Sequence, residues 1–219
     1  MKPLSECRLY AFVDTAFLRG CAPETVAQRL CDGGADLLQL RAKQSPPEEV
    51  RRMADAILPV TRAAGIGLVI NDYPAIAGEA GADGCHLGQE DFFAAGFTHT
   101  SALRASRPAL HVGLSTHAPQ EADRAVAVGA DYLGVGPVYA TGTKPGARPV
   151  TLDYVRWAAA HVKIPWFAIG GIHLANLDEV LAAGARRICV VSAILNAEDV
   201  TVACRAFQER LLDFPLTTQ

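Results

Sequence analysis

Short apolar runs alternate with amphipathic helical patterns along the whole 219-residue chain, and no other feature limits its fold so strongly. The runs are nearly continuous in apolar residues, as in Ile188-Cys189-Val190-Val191, which is typical of parallel strands covered on both faces. We predict strands at about 8–14, 37–43, 67–72, 84–88, 111–116, 132–138, 165–171 and 187–194. Eight strand–helix units without a linker predict an α/β fold, a single-domain (β/α)8 TIM barrel over 1–219 with its core at about 8–214.

A weak internal repeat supports this architecture. The triplets Gly34-Ala35-Asp36, Gly81-Ala82-Asp83 and Gly129-Ala130-Asp131 each fall between a helical pattern and a strand. Glycine at a helix carboxyl end takes the left-handed conformation that stops the helix. The predicted helices include 48–64, 119–128, 175–183 and 200–214. The repeat indicates architecture and says nothing about chemistry.

Composition excludes several function classes. A formal net charge of −3 provides no field that attracts nucleic acid or an anionic membrane, so we expect neither as a partner. The six cysteines form no C-x-x-C pair, which indicates reduced thiols rather than disulfides or a metal site. The first residues do not resemble a signal peptide, and no apolar stretch approaches the length of a membrane span. We therefore expect a cytoplasmic protein that acts on small molecules.

Polar residues interrupt the second predicted strand near its carboxyl end. Strand periodicity places Gln39, Arg41 and Lys43 on one face, toward the barrel mouth, and Leu40 and Ala42 on the other. Two neighbouring cations predict an anionic ligand, although a solvated strand end is the alternative. Because Arg41 is a mouth-facing cation next to another cation, we expect it to contribute little to stability without ligand.

Carboxylates follow the next two strands. Asn71-Asp72 ends the third strand, and Glu90-Asp91 follows the fourth. Carboxylates on adjacent strand ends can converge on Mg²⁺, with phosphate oxygens completing its shell. Asp72 and Asp91 are the candidate ligands, with Glu90 in reserve. Alternatively, Asp91 caps the next segment and Asp72 serves a turn before Pro74.

Two further segments contain candidate anion ligands. Ser115 and Thr116 end the fifth strand, where a helix cap is an equal explanation for one hydroxyl. The glycine-rich loop after the sixth strand contains Thr141, Gly142, Thr143 and Lys144 and is suited to wrap an anion as a lid, or to form a structural turn.

The loops after the last two strands are the usual phosphate site of this architecture. They contain Gly170-Gly171 and Val191-Ser192, whose backbone N–H groups are suited to a monophosphate. The sequence therefore predicts two anion sites: one assisted by metal near strands two to four, and one without metal at strands seven and eight.

Taken in order, these segments resemble the thiamine-phosphate synthase (thiamine-phosphate pyrophosphorylase) family across roughly 8–195. The matching segments are Gln39-Leu40-Arg41-x-Lys43, Asn71-Asp72, His86-Leu87-Gly88-Gln89-Glu90-Asp91, Ser115-Thr116-His117, Gly134-Val135-Gly136-Pro137-Val138, Thr141-x-Thr143-Lys144-Pro145, Ile169-Gly170-Gly171-Ile172 and Val191-Ser192-Ala193-Ile194. One such segment is weak support, whereas the ordered set is specific.

The resemblance implies a Mg²⁺-dependent transferase. It would join 4-amino-2-methyl-5-hydroxymethylpyrimidine diphosphate to a carboxylated thiazole phosphate, giving thiamine phosphate, pyrophosphate and CO2.

The resemblance also implies roles for individual residues. Arg41, Lys43, Ser115 and Lys144 would be catalytic, and Asp72 and Asp91 would hold the metal. The substrate-binding residues would be Gln39, Leu40, Arg41, Ala42, Lys43, Asn71, Ser115, Thr141, Gly142, Thr143, Lys144, Gly171, Val191 and Ser192.

Two substitutions would test these expectations. Arg41→Met should lower turnover and spare the fold. Gly171→Ala should place a methyl group where the thiazole phosphate approaches a backbone N–H. It should therefore weaken the binding of the thiazole phosphate and largely spare that of the pyrimidine diphosphate.

The chain departs from the family pattern at three positions. Ala42 stands where the family usually has Glu, Tyr73 where it often has Arg, and Gly142 where Pro is common. These departures bear on substrate affinity more than on identity. Two other functions stay open: a thiazole tautomerase that uses a histidine near His117, and a regulator that binds thiamine phosphates without turnover. The sequence also leaves self-association as a homo-oligomer open.

Overall fold

The computed structural model describes residues 1–142 and 148–216. Within them the strands form a closed parallel barrel in which each strand pairs with the next, and the last pairs with the first. The strands are β1 (Leu9–Asp14), β2 (Leu37–Arg41), β3 (Gly67–Asn71), β4 (Gly84–Gly88), β5 (His111–Thr116), β6 (Tyr132–Val135), β7 (Trp166–Ile169) and β8 (Ile188–Val190). The predicted TIM barrel is confirmed.

Helices follow the strands along the chain. They are α1 (Pro23–Asp32), α2 (Pro47–Ala64), α3 (Pro74–Ala80), α4 (Gln89–Ala94), α5 (Pro119–Ala127), α6 (Thr151–His161), α7 (Leu174–Ala182), α8 (Ser192–Leu195) and α9 (Val200–Leu212). Helices α1, α2, α3 and α5 begin with proline, whose missing N–H would have no intrahelical partner at that position. Across the described ranges, no helix has the length and apolar character needed to cross a membrane.

Five strands end earlier than the sequence predicted, and each early end has a local cause. Strand β2 stops before Lys43, which lies in a turn. Strand β3 stops before Asp72, whose φ of 67° lies outside the extended region. Pro137 has no N–H to donate to a strand ladder beyond β6. Gly170 and Gly171 follow β7 with φ values of 101° and 65°, outside the extended region. Beyond β8 the chain turns directly into α8 at Ser192. The predicted site residues near these ends therefore lie in loops.

Aromatic side chains fill the barrel interior beneath its mouth. The ring centroids of Tyr10, Tyr132 and Phe167 lie 5.3 to 6.0 Å apart, at steep interplanar angles. Gly113 makes room for this cluster, since a Cβ there would lie 2.1 Å from the Tyr132 ring. The interior is therefore a packed floor rather than a pore, and any ligand must enter from one end.

Candidate active site

A cavity of about 370 Å³ lies at the carboxyl ends of the strands. Every strand contributes to its wall, through residues that include Tyr10, Gln39, Asn71, His86, Ser115, Tyr132, Ile169 and Cys189. TIM-barrel enzymes place their chemistry at this end. The cavity is therefore the candidate active site.

Most residues predicted from the sequence line this one cavity. They are Gln39, Arg41, Lys43, Asn71, Asp72, Glu90, Asp91, Ser115, Thr141, Gly171, Val191 and Ser192. Leu40 and Ala42 belong instead to the hydrophobic core, so either would have to meet a ligand through its backbone. Gly142 is exposed and lies outside the cavity wall. The predicted residues Thr143 and Lys144 lie outside the described residues.

Arg41 is held by a buried carboxylate that sequence reasoning missed. Its Nη1 donates to Asp14 Oδ2 at 2.7 Å, and the barrel register places the two residues directly opposite each other. The Asp14 side chain is 1% exposed and that of Arg41 is 19% exposed. The structure instead leads us to expect that Arg41 contributes to stability, because its removal would leave a buried carboxylate without its cation.

Asp72 reaches the cavity from a strained backbone. It follows β3 with a φ of 67°, a conformation that costs a non-glycine residue on the order of 1 kcal/mol. Its N–H donates to the carbonyl of His86 at 2.8 Å, and its Oδ2 lies 2.6 Å from the Nζ of Lys43. The two side chains are partly exposed, so the ion pair can rearrange when a ligand arrives.

Asp91 and Glu90 lie in the first turn of α4. The helix is capped by Gly88 without a side-chain hydrogen bond, so the capping role considered for Asp91 is not observed. In residues 1–142 and 148–216, no three His, Cys, Asp or Glu side chains converge as a closed metal site. Asp72 and Asp91 both line the cavity.

The loops after β7 and β8 supply Gly171, Val191 and Ser192 to the opposite side of the cavity. A Cβ on Gly171 would lie 2.7 Å from the carbonyl oxygen of Ala140 and 2.7 Å from the Cβ of Tyr139. The reason predicted for the effect of Gly171→Ala is therefore wrong. The methyl group would strike the loop after β6 rather than enter free ligand space.

A chain of buried hydrogen bonds crosses the cavity floor and was not predicted. Gln39 Nε2 lies 2.6 Å from the Tyr10 hydroxyl, which lies 3.1 Å from the Tyr132 hydroxyl. Tyr132 continues to His86 Nδ1 at 3.2 Å, and His86 Nε2 continues to Ser115 Oγ at 2.9 Å. The sequence signal was weak, because both tyrosines stand inside apolar runs and look like core residues.

The environment of His86 keeps its ring neutral. Burial, and to a lesser extent the charge of Lys43, lower the pKa of His86 to about 4. Burial likewise raises the pKa of Tyr10 and Tyr132 well above 10. All three groups are therefore uncharged near neutral pH.

The hydroxyls at the end of β5 are not helix caps. The cap of α5 is Ala118, while Thr116 Oγ1 donates to the Gly134 carbonyl at 3.1 Å and accepts from Tyr154 at 2.7 Å. Next to them, the Nδ1–H of His117 donates to the carbonyl of Gly136. Ser115 is thus the hydroxyl of this pair that reaches the cavity.

Tyr73, one of the departures from the family pattern, has a structural contact. Its hydroxyl lies 3.4 Å from the Ser45 carbonyl, so it joins the end of β3 to the turn after β2. It is not among the residues that line the cavity. The position therefore carries a structural side chain in place of the arginine.

The barrel and its cavity define a class: TIM-barrel enzymes whose site gathers cations and carboxylates at the strand ends. A family model described as thiamine monophosphate synthase matches residues 9–194. A thiamine-phosphate synthase of Thermus thermophilus is 49% identical over 185 residues, which are 84% of this chain and 86% of that protein. That of Halalkalibacterium halodurans is 38% identical over 205 residues, 93% and 95% of the two chains.

A solved structure agrees with these relatives. The thiamine phosphate pyrophosphorylase from Pyrococcus furiosus superposes with a TM-score of 0.84 at 30% sequence identity, covering 96% of this chain and 98% of that one. The chain belongs to the thiamine-phosphate synthase family, transferases of thiamine biosynthesis.

Proposed function

We propose that this protein couples 4-amino-2-methyl-5-hydroxymethylpyrimidine diphosphate to the carboxylated thiazole phosphate, with release of pyrophosphate and CO2. The supporting observation is that one cavity is lined both by the charged residues Arg41, Lys43, Asp72 and Asp91 and by the loops after β7 and β8. One substrate carries a diphosphate and the other a monophosphate. We therefore assign the two groups separate places in the same cavity.

The diphosphate side is formed by the ends of β2, β3 and β5. Arg41 and Lys43 supply positive charge, while Asn71 and Ser115 supply neutral polar groups. Gln39 lies deeper, on the floor, where it would face the pyrimidine. Lys144 is proposed as a further cation on the family pattern alone.

Two carboxylates that line one cavity suit Mg²⁺, since this ion is commonly held by one or two carboxylates together with substrate phosphates and water. Asp72 and Asp91 would hold it, and the strained backbone of Asp72 supports a functional role for that residue. When bound, the ion would neutralise charge on the diphosphate. Lys43, now paired with Asp72, would then be released toward the phosphate oxygens.

The thiazole phosphate would bind at the opposite wall, at Gly171, Val191 and Ser192, with the loop that contains Thr141, Gly142 and Thr143. Thr141 and Gly171 line the same cavity, which supports this part of the proposal. A Cβ on Gly171 would lie 2.7 Å from the carbonyl oxygen of Ala140, so the chain after β6 leaves no room for a side chain at this position.

The residues of this chain would accelerate the reaction mainly by electrostatics and orientation. The carbon–oxygen bond of the pyrimidine diphosphate breaks, and its electron pair leaves with pyrophosphate. The thiazole nitrogen then supplies the electron pair of the new carbon–nitrogen bond. The bond from the thiazole ring to its carboxylate breaks, CO2 leaves, and the electron pair stays on the ring carbon, which takes up a proton. Arg41 and Lys43 oppose the negative charge that grows on the leaving group.

A pyrophosphate-release assay with both substrates, with and without Mg²⁺, tests the proposal. Release that requires both substrates and the metal supports it. A thiazole tautomerase would isomerise the thiazole without release, and a regulator would bind thiamine phosphates with neither reaction. His117, the histidine such a tautomerase would use, lines the cavity with its Nδ1–H held by the Gly136 carbonyl.

A further inference from the structure

The hydrogen-bond chain on the cavity floor has a direction that can be worked out from its donors. At its start, Gln39 presents Nε2, which has two hydrogens and no acceptor. The Tyr10 oxygen must therefore accept this bond. Among the described contacts of Tyr10, its buried hydrogen is satisfied only if it points to the other partner, the hydroxyl of Tyr132.

The same counting continues to the imidazole. Tyr132 already accepts from Tyr10, so its own hydrogen goes to Nδ1 of His86. A neutral imidazole has one N–H, and Nδ1 is now the acceptor, so the hydrogen lies on Nε2. Nε2–H in turn donates to Ser115 Oγ at 2.9 Å. Every bond in the chain thus runs from Gln39 toward Ser115.

We propose that this chain fixes Ser115 as a hydrogen-bond donor toward the cavity, with Tyr10, Tyr132 and His86 as positioning residues. Ser115 Oγ accepts from His86, so its own hydrogen is left for a ligand. In the part of the chain that the structure describes, His86 is the hydrogen-bond partner of this hydroxyl. The serine is therefore oriented before any ligand binds.

This orientation matches the chemistry of a phosphate group. Phosphate oxygens near neutral pH are acceptors, so a serine that presented its lone pairs would repel them. The match rests on the proposed function, in which Ser115 meets the diphosphate. A donor already pointed at the leaving group needs no reorganisation as charge grows there, so its loss should lower turnover more than substrate binding.

The imidazole tautomer tests the proposal without reference to activity. Nitrogen-15 spectra of the full-length, histidine-labelled protein near pH 7 would report both ring nitrogens of His86, assigned by their loss in a His86→Gln variant. We expect a neutral ring with its proton on Nε2. A proton on Nδ1 would show that the chain runs the other way and would overturn the proposal.

Two phenylalanine substitutions separate the chain from ordinary packing. Tyr132→Phe keeps the ring that packs on Gly113 and removes the donor to Nδ1. We expect a mixture of His86 tautomers and a turnover about tenfold lower, with the Michaelis constant for the pyrimidine diphosphate changed by less than about threefold. Tyr154→Phe is the control, since it also removes a buried hydroxyl bond, to Thr116, but lies outside the chain. It should leave the tautomer unchanged.

The outcomes separate this proposal from the function. If Tyr132→Phe fails to fold by circular dichroism, the nitrogen-15 tautomer of wild-type His86 decides the proposal, since that measurement does not depend on the Tyr132 variant. Unchanged tautomer and turnover in the folded variant would refute the positioning role. Failure of wild-type protein to release pyrophosphate would refute the proposed function, while the tautomer result would still stand or fall alone.

Discussion

Arg41→Met should destabilise the fold as well as slow the reaction. The substitution keeps most of the length of the side chain but removes the guanidinium that lies 2.7 Å from Asp14. Because Asp14 is 1% exposed, its carboxylate would stay buried without a cation. The structure thus predicts two separable effects from one change, one on stability and one on turnover.

The size of the stability effect follows from the burial of the pair. Removing one partner of a fully buried ion pair costs about 3–5 kcal/mol. Arg41 is 19% exposed, and Asp14 keeps a bond from the Ala16 N–H at 3.0 Å, so we expect a smaller loss. A loss of about 2–3 kcal/mol in the free energy of unfolding corresponds to roughly 5–10 °C in Tm for a chain of this size.

Urea unfolding and steady-state kinetics measure the two effects. Arg51→Met is the matched control, because Arg51 pairs with Asp55 on an exposed helix surface, and its loss should cost about 0.5 kcal/mol or less. Adding Asp14→Asn to Arg41→Met should restore most of the stability, since a neutral amide can stay buried. Turnover should remain on the order of 10²–10³-fold low in both. If Arg41→Met loses no more stability than Arg51→Met, the argument from the buried pair is wrong.

Two further predictions follow from the geometry. Gly171→Ala should weaken thiazole-phosphate binding about tenfold, measured by calorimetry, because the new methyl group pushes on the loop at Ala140. It should also lower the free energy of unfolding, measured in urea, by at least about 1 kcal/mol more than Gly65→Ala does, since Gly65 has a similar φ but open space around it. Equal losses of stability in the two variants would contradict the crowding at Gly171. His86 has a pKa of about 4 in the folded protein and 6.5 in the unfolded chain. Its stabilising contribution should be complete above about pH 6.5. The protein should lose about 3 kcal/mol of stability as the pH falls from there through 4, because the unfolded state takes up the proton first. Urea unfolding from pH 7 to 4 should show a shallower slope for His86→Gln, and identical slopes would count against a buried neutral ring.

The barrel could be predicted from the sequence because its signal repeats. Apolar runs and Gly-Ala-Asp turns recur around the ring, so errors at single strand ends did not affect the topology. Those ends were less predictable, since Pro137 and the pair Gly170-Gly171 stop strands through backbone geometry that apolar patterning does not report.

The residues of the cavity wall were also largely predictable, whereas the hydrogen bonds and ion pairs among them were not. Arg41, Asn71 and Asp72 stand out as polar residues at strand ends. The pairing of Asp14 with Arg41 depends on the register between β1 and β2, which neither strand shows alone. The chain from Gln39 to Ser115 joins five strands, so its tyrosines are recognisable as functional only once the barrel is closed.

The most direct test of the central claim is thiamine phosphate formation from the two substrates by variants of Asp72, Asp91 and Glu90. Asp72→Asn and Asp91→Asn should each abolish most of the Mg²⁺-dependent coupling, with pyrophosphate and product lost together, while Glu90→Gln, next to Asp91 in the same turn, should stay within about threefold of wild type. Excess chelator should stop the wild-type reaction, and added Mg²⁺ should restore it. Full coupling in chelator, or in both aspartate variants, would contradict the account.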